Sequence, residues 1–168
     1  MSEEFQEKLK SIRMIILDVD GVLTDGQVWI GGEGEEFKPF HVHDGYAIKI
    51  ALNSGLKVAF LTGRSSTAVG KRSGELGVVD VHQGIDDKPG VYEELKAKYG
   101  LRDEAVCCVG DDLADLDLVN ACGFGVAVKG AVEEIRDAAD YVTSKEGGWG
   151  AVREVIEMIL KARGEWPT

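Results

Sequence analysis

Long apolar runs are missing from this chain: no stretch reaches the ~18 consecutive apolar residues of a membrane span. Residues Met1 to Lys10 are charged and lack the apolar core of a secretory signal. The expected location is cytoplasmic, with no membrane partner. Cysteine is scarce, at three residues. The count is odd and Cys107 adjoins Cys108 in an apolar run, so buried free thiols in a reducing compartment are expected, not a disulfide framework. Positive charge is also in deficit: 19 Lys and Arg face 30 Asp and Glu, a formal net charge of −11. A face-wide basic patch is therefore excluded, and nucleic acid is not the expected partner. A local cluster of cations can still hold a small anion. No internal repeat, linker or low-complexity tract is visible.

The chain has 168 residues, 44% of them hydrophobic, with 22 glycines. That length suits one domain over residues 1–168, burying roughly 68–70% of its unfolded surface. Strand-length apolar runs alternate with helical patterns. Strands are expected at Met14–Leu17, Lys57–Leu61, Val78–Val81, Ala105–Val109 and Phe124–Val128, with a short sixth at Tyr141-Val142. Helices are expected near Gly45–Asn53, Ser66–Glu75, Pro89–Tyr99, Leu113–Ala121, Ala131–Ala138 and Ala151–Ala162. Asp44 suits the N-cap of the first of these, Pro89 a first helical position, and Gly100 a helix stop. The alternation predicts an α/β fold: a Rossmann-like parallel sheet with helices on both faces and right-handed crossovers. One segment departs from it. Residues 27–40 read as a projecting β-hairpin around Gly31-Gly32-Glu33-Gly34. Its Val28, Ile30 and Phe37 would be exposed unless covered, which makes oligomerisation through the hairpin attractive.

The most informative stretch is Asp18-Val19-Asp20-Gly21-Val22-Leu23-Thr24-Asp25. Two carboxylates two residues apart follow a buried strand directly, at the edge where open α/β sheets bind ligands. Asp-x-Asp-Gly alone also suits an ordinary turn or a calcium loop. The calcium reading fails on its closing glutamate, because the twelfth place counted from Asp18 is Trp29.

Other strand ends resolve the ambiguity. The second strand leads into Thr62-Gly63-Arg64, the third toward Asp86-Asp87-Lys88, and the fourth into Gly110-Asp111-Asp112 with Asp115 following. In a parallel sheet these ends share one edge. Carboxylates, a hydroxyl, a lysine and glycine amides therefore converge on one crevice. Each suits phosphoryl transfer. Mg²⁺ prefers hard oxygen ligands, and Asp18 and Asp111 are the carboxylate candidates, with a backbone carbonyl beside them. Lys88 and the cation offset repulsion between an attacking aspartate and a phosphate. Thr62 and the amides near Val19, Asp20 and Gly63 can donate to phosphoryl oxygens. Asp20 can protonate the leaving oxygen and then deprotonate water.

This ordered set resembles the haloacid dehalogenase-like superfamily of phosphatases, whose four motifs match Asp18-x-Asp20, Thr62, Lys88 and Gly110-Asp111-Asp112-x-x-Asp115. A finer likeness spans nearly the whole chain. Asp18 through Gly26, Asp44-Gly45-Tyr46, Leu61-Thr62-Gly63-Arg64 and Gly147-Gly148-Trp149-Gly150-Ala151-Val152-Arg153-Glu154 look like the capless 3-deoxy-D-manno-octulosonate 8-phosphate (KDO 8-phosphate) phosphatases. The resemblance implies a Mg²⁺-dependent homotetramer that acts on a sugar-acid phosphate, with hairpins associating centrally and sites near subunit interfaces. It implies Asp18 as nucleophile and metal ligand, Asp20 as acid/base and carbonyl ligand, and Asp111 as the remaining ligand. Asp112 and Asp115 would orient the metal site. Arg64, Arg72 and Lys88 match substrate-contacting positions, some across a subunit boundary, and His41, His43, Asp44, Gly45, Lys49 and Gly63 match lining positions.

Departures loosen the substrate, not the chemistry. His43 and Lys49 stand where KDO enzymes usually have arginine, and Val128-Lys129-Gly130 differs from their usual segment. A histidine at position 43 resembles the phosphatases of nine-carbon acylneuraminate and deaminoneuraminate 9-phosphates, whereas Arg64 resembles the KDO enzymes. Two other classes compete: a receiver that stores a phosphoryl group, and a non-catalytic oligomerisation subunit. Receivers carry their acidic pair and acceptor on different strands, unlike Asp18 and Asp20.

Overall fold

The computed structural model describes residues 2–167. Among them, strands β1 (Met14–Leu17), β4 (Lys57–Thr62), β5 (Asp80–Gln83), β6 (Val106–Gly110), β7 (Phe124–Ala127) and β8 (Tyr141–Val142) form one six-stranded sheet, ordered β5-β4-β1-β6-β7-β8. Every pairing in it is parallel. β2 (Trp29–Ile30) and β3 (Glu36–Phe37) form the separate antiparallel hairpin. The helices are α1 (Glu3–Ser11), α2 (Val42–Asn53), α3 (Thr67–Leu76), α4 (Lys88–Tyr99), α5 (Leu116–Ala121), α6 (Glu133–Ala138) and α7 (Ala151–Ala162). The expected α/β architecture and its hairpin are present.

Side-chain alternation explains why the central strands read as continuous apolar runs. Ile15 and Leu17 join the larger core with Val58, Phe60, Cys107 and Val109, under residues of α1, α2 and α7. Met14 and Ile16 face the other way, with Ala59, Leu61, Val106 and Cys108, against Tyr92 and Leu95 of α4. Both faces are buried, so neither has a polar register. The three cysteines are free and buried, as expected, and burial pushes the Cys107 and Cys108 thiols well above their ordinary range.

Several boundaries move for local reasons. The third strand begins at Asp80, not Val78. Gly77 ends α3 in the left-handed conformation, and the Val78 amide bonds back to the Ser73 carbonyl, so Val78 belongs to the cap. The segment 113–121 divides into a 3-10 turn over Leu113–Asp115 and the short α5. α1 was not expected, although its signals are ordinary. Ser2 accepts the Phe5 amide, Glu3 and Glu4 occupy the first turn, and Lys8 and Lys10 the last.

Asp44 is the largest correction. α2 starts at Val42 with His41 at the cap position, so Asp44 lies inside the first turn. Its carboxylate accepts the amides of Gly150 (3.3 Å) and Arg153 (2.7 Å). It thus caps α7, a helix more than a hundred residues away, whose own cap position is Gly150. Burial pushes the Asp44 carboxyl above its usual value, and these amides oppose that rise.

A second long-range contact secures the loop after β1. The Gly148 amide bonds to the Val22 carbonyl at 3.0 Å. A Cβ built on Gly147 would stand 1.7 Å from the Gly21 carbonyl oxygen, so only glycine lets these two backbones meet. Three outcomes are expected in urea denaturation. Gly147→Ala costs about 1–3 kcal/mol by overpacking backbone on backbone, whereas Gly32→Ala, with nothing within 4 Å of the added carbon, stays within about 0.5 kcal/mol. Asp44→Ala costs about 2 kcal/mol, because the Gly150 and Arg153 amides at the start of α7 lose a buried acceptor.

Candidate active site

The sheet register builds the crevice. Leu17 lies beside Phe60 on one side and Val109 on the other, so Asp18, Thr62 and Asp111 emerge at one edge. Lys88 arrives from the fourth direction, as the first residue of α4. Asp87 caps that helix by accepting the Gly90 amide at 3.0 Å, and Pro89 occupies its first turn. Together these elements surround a cavity of about 460 Å³ lined by Asp18, Asp20, Thr62, Gly63, Arg64, Lys88, Asp111, Asp112 and Asp115 among others.

Lys88 is the hub. Its ammonium is buried and bonds Asp18 Oδ1 at 2.8 Å and Asp115 Oδ1 at 2.6 Å. Asp115 Oδ2 accepts the Asp111 amide at 3.1 Å, which orients the neighbouring acid. Oxygens of Asp18, Asp111 and Asp115 lie within 4.8 Å of one another. Gly21, at φ +92°, is required here, because a Cβ would stand 2.0 Å from Asp111 Oδ2. The glycine of Asp-x-Asp-Gly therefore serves the fourth motif as well as its own turn.

Three carboxylates share one ammonium, so negative charge is in excess. Burial, then repulsion from Asp115, pushes the Asp18 carboxyl up to about 7, against the pull of Lys88. Burial, then Asp18 and Asp115, pushes Asp111 up to about 7 as well. Burial alone would depress Lys88, but Asp18 and Asp115 outweigh it and hold the ammonium above its ordinary value. Hard oxygen donors at this spacing, with more charge than one lysine neutralises, suit a divalent cation.

The remaining candidates divide into two places. Asp20, Gly63 and Arg64 line the crevice, and the Thr62 hydroxyl points at Asp20 Oδ2 at 3.5 Å. Asp112 is exposed and accepts the Leu113 amide at 2.7 Å, so it holds the turn that carries Asp115. His41, Asp44, Gly45 and Arg72 line a separate small pocket beneath Phe40. Arg72 lies against Gly45 and pairs with Glu75 at 3.1 Å. His43 and Lys49 are exposed. The His41 and His43 rings meet edge-on at 5.0 Å, with Trp149 at 6.3 Å from His41.

Sequence reasoning missed Lys38 and Glu36. Lys38, just after β3, pairs with Asp20 Oδ1 and, at 2.6 Å, with Glu36 Oε1, its side chain 2% exposed. Glu36 also holds Arg64 at 3.2 Å. Nothing local marks Lys38, because the hairpin's approach to Asp20 and Arg64 is a tertiary fact. Asp115 carried a signal, its spacing from Asp111, but its direct bond to Lys88 was not anticipated.

Comparison with known proteins agrees with this geometry. Residues 73–156 match the model of the haloacid dehalogenase-like hydrolase family. The chain is 44% identical over 165 residues to 3-deoxy-D-manno-octulosonate 8-phosphate phosphatase KdsC of Salmonella typhi, covering 98% of this chain and 88% of that protein. The crystal structure of the Yersinia pestis phosphatase of the same name superposes with a TM-score of 0.96 at 39% identity, covering 98% of this chain and 89% of that one. The Moraxella catarrhalis enzyme, solved with magnesium ion, phosphate ion and KDO, gives 0.94 at 43% identity, covering 98% and 94%. On identity of that extent over nearly its whole length, the chain belongs to the haloacid dehalogenase-like hydrolases and, among them, to the KDO 8-phosphate phosphatase family.

Proposed function

We propose that residues 1–168 form a single Mg²⁺-dependent phosphatase domain that hydrolyses KDO 8-phosphate to KDO and phosphate through an aspartyl phosphate on Asp18. The observation that carries this reading is the cluster of Asp18, Asp111 and Asp115, two of which, Asp18 and Asp115, bond the buried Lys88 ammonium, in a chain so similar to KDO 8-phosphate phosphatases. Asp18, Asp111 and the Asp20 carbonyl would hold the ion, which supplies charge neutralisation for the incoming phosphate.

The chain's own groups perform the chemistry. Lys88 holds Asp18 in place and faces the phosphoryl oxygens with fixed positive charge. Thr62 and the amide of Gly63 supply hydrogen bonds at the same edge. Asp18 attacks phosphorus, and Asp20 gives its proton to the sugar oxygen that leaves. Asp20 then takes a proton from water, whose oxygen attacks the aspartyl phosphate and frees Asp18. Arg64, at the crevice rim, suits the second anion of a sugar acid. The pocket containing His41, Asp44, Gly45 and Arg72 is distinct from this crevice, so substrate roles for that group call for a neighbouring copy. Exposed Val28, Trp29, Ile30 and Phe37 on the hairpin support association, and the family resemblance suggests a homotetramer. Among the described residues no helix is long and apolar enough to cross a membrane. Three free buried thiols suit the reducing cytoplasm.

His43 favours a second reading, a nine-carbon acylneuraminate or deaminoneuraminate 9-phosphate as substrate. Comparison of kcat/KM on both sugar phosphates and on hexose phosphates decides between them. The larger value is expected for KDO 8-phosphate, and the reverse order moves the substrate to the nine-carbon class. Asp18→Asn is expected to lower phosphate release on the order of 10³-fold or more while melting near the parent. Phosphate release by that variant at the parent rate removes the nucleophile assignment.

The raised carboxyls make a further prediction, with a definite sign. Without metal, the folded state holds Asp18 and Asp111 protons up to about pH 7, whereas the unfolded state releases them near pH ~3.9. The fold binds more protons in that window, so metal-free stability falls as pH rises from about 4 through about 7. Ion binding displaces these protons, on the order of one per Mg²⁺ at pH 6 and fewer at pH 8. Melting scans in chelator, and Mg²⁺ titration calorimetry in buffers of different ionisation enthalpy, measure both. Asp111→Asn is expected to flatten the pH slope.

A further inference from the structure

Lys38 is a buried cation beside the crevice acid Asp20 that the mechanism above leaves unused. Its ammonium comes from the hairpin, outside the sheet, and bonds Oδ1 of Asp20. Among the described residues the other oxygen, Oδ2, receives only the Thr62 hydroxyl at 3.5 Å. Lys38 is itself fixed: Glu36 Oε1 pairs with it at 2.6 Å, and Glu36 Oε2 pairs with Arg64 at 3.2 Å. The chain Arg64–Glu36–Lys38–Asp20 therefore runs from the rim of the crevice to its acid.

We infer that Lys38 is a positioning residue for the reaction, holding Oδ1 of Asp20 so that Oδ2 is the oxygen that gives and takes the proton. The inference rests on the proposed role of Asp20. An ammonium has donors only, so the oxygen it bonds cannot also carry a proton toward it. Oδ2, beside Thr62, is left for the chemistry. As the Asp18 oxygen bonds to phosphorus, the bond from phosphorus to the sugar oxygen breaks, and that oxygen takes the Oδ2 proton to leave as a neutral alcohol. Water then adds to phosphorus, passes its proton to Oδ2, and Asp18 departs. In both steps Lys38 meets the same ionised or neutral carboxyl and transfers nothing itself. The hairpin thereby sets proton delivery.

The test compares leaving groups. kcat/KM covers the steps through aspartyl-phosphate formation, in which a sugar oxygen needs a proton and p-nitrophenolate does not. Lys38→Met is expected to lower kcat/KM for KDO 8-phosphate by about tenfold to a hundredfold, and for p-nitrophenyl phosphate by a clearly smaller factor. Lys38→Arg, which restores a cation, should recover most of the loss. The pair Asp20→Asn with Lys38→Met should be no worse than Asp20→Asn alone, because the two act as a unit. Equal losses on both substrates, no recovery by arginine, or multiplied losses in the double variant each overturn the inference. If Lys38→Met melts far below the parent, Lys38→Arg and Lys38→Gln carry the same comparison. If Asp20→Asn itself keeps full activity, the underlying role of Asp20 fails instead, so the two failures are distinguishable.

Discussion

One buried ammonium governs this site. Lys88 stands between Asp18 and Asp115 with almost no exposure. A buried cation is tolerable only when paired, and a buried carboxylate likewise. Here three acids cluster and one lysine bonds two of them, so the cluster is short of positive charge. That imbalance raises Asp18 and Asp111 toward neutrality. On the proposed function, it also describes what the crevice would receive: first a cation, then a phosphate held against cation and lysine. The same acids would be a liability in a protein without that use. Loss of the Lys88 charge would leave three crowded carboxylates, a fold problem as much as a catalytic one.

The rest of the fold serves to hold that cluster. β1 sits centrally between β4 and β6, so its end is fixed on both sides. α4 delivers Lys88 from its first turn, set by Asp87 and Pro89. The loop after β1 is held from behind by Gly147 and Gly148, which touch its backbone directly. The approach to α7 that places those glycines is in turn held by Asp44. A residue 26 positions after Asp18 in sequence thus supports the loop through a helix near the C-terminus. This explains why Asp44-Gly45 belongs to the ordered motifs without entering the crevice.

What could be read from the sequence follows from range. β1, α7 and the position of every member of the Asp18, Thr62, Lys88 and Asp111 set were legible, because strand runs and turn chemistry are local and parallel topology carries their ends to one edge. The Asp44 cap was misread because its partner lies 106 residues away, and its own neighbours offered a plausible alternative. The strand at Val78 was misplaced because an apolar residue after a left-handed glycine can cap a helix or begin a strand with the same pattern. Lys38 was invisible for a different reason. No spacing relates a hairpin lysine to an acid 18 residues before it until the hairpin's path is known.

The hairpin has two unlike sides. Val28, Trp29, Ile30 and Phe37 remain exposed, while Lys38 and Glu36 turn inward onto Asp20 and Arg64. A hairpin of two-residue strands has little stability by itself. Its ion pair from Lys38 to Asp20 is shielded, so it contributes more than an exposed pair would. Even so, a strand pair this short is poorly suited to holding an ammonium within hydrogen-bond reach of the Asp20 carboxyl. Burying its apolar side against further copies would remove that weakness, since each buried apolar side chain contributes roughly 1.5–3 kcal/mol. On the proposed function, association then does more than collect subunits: it stiffens the arm that aims Asp20. A hairpin in place of a cap domain can be small because its rigidity need not come from its own chain.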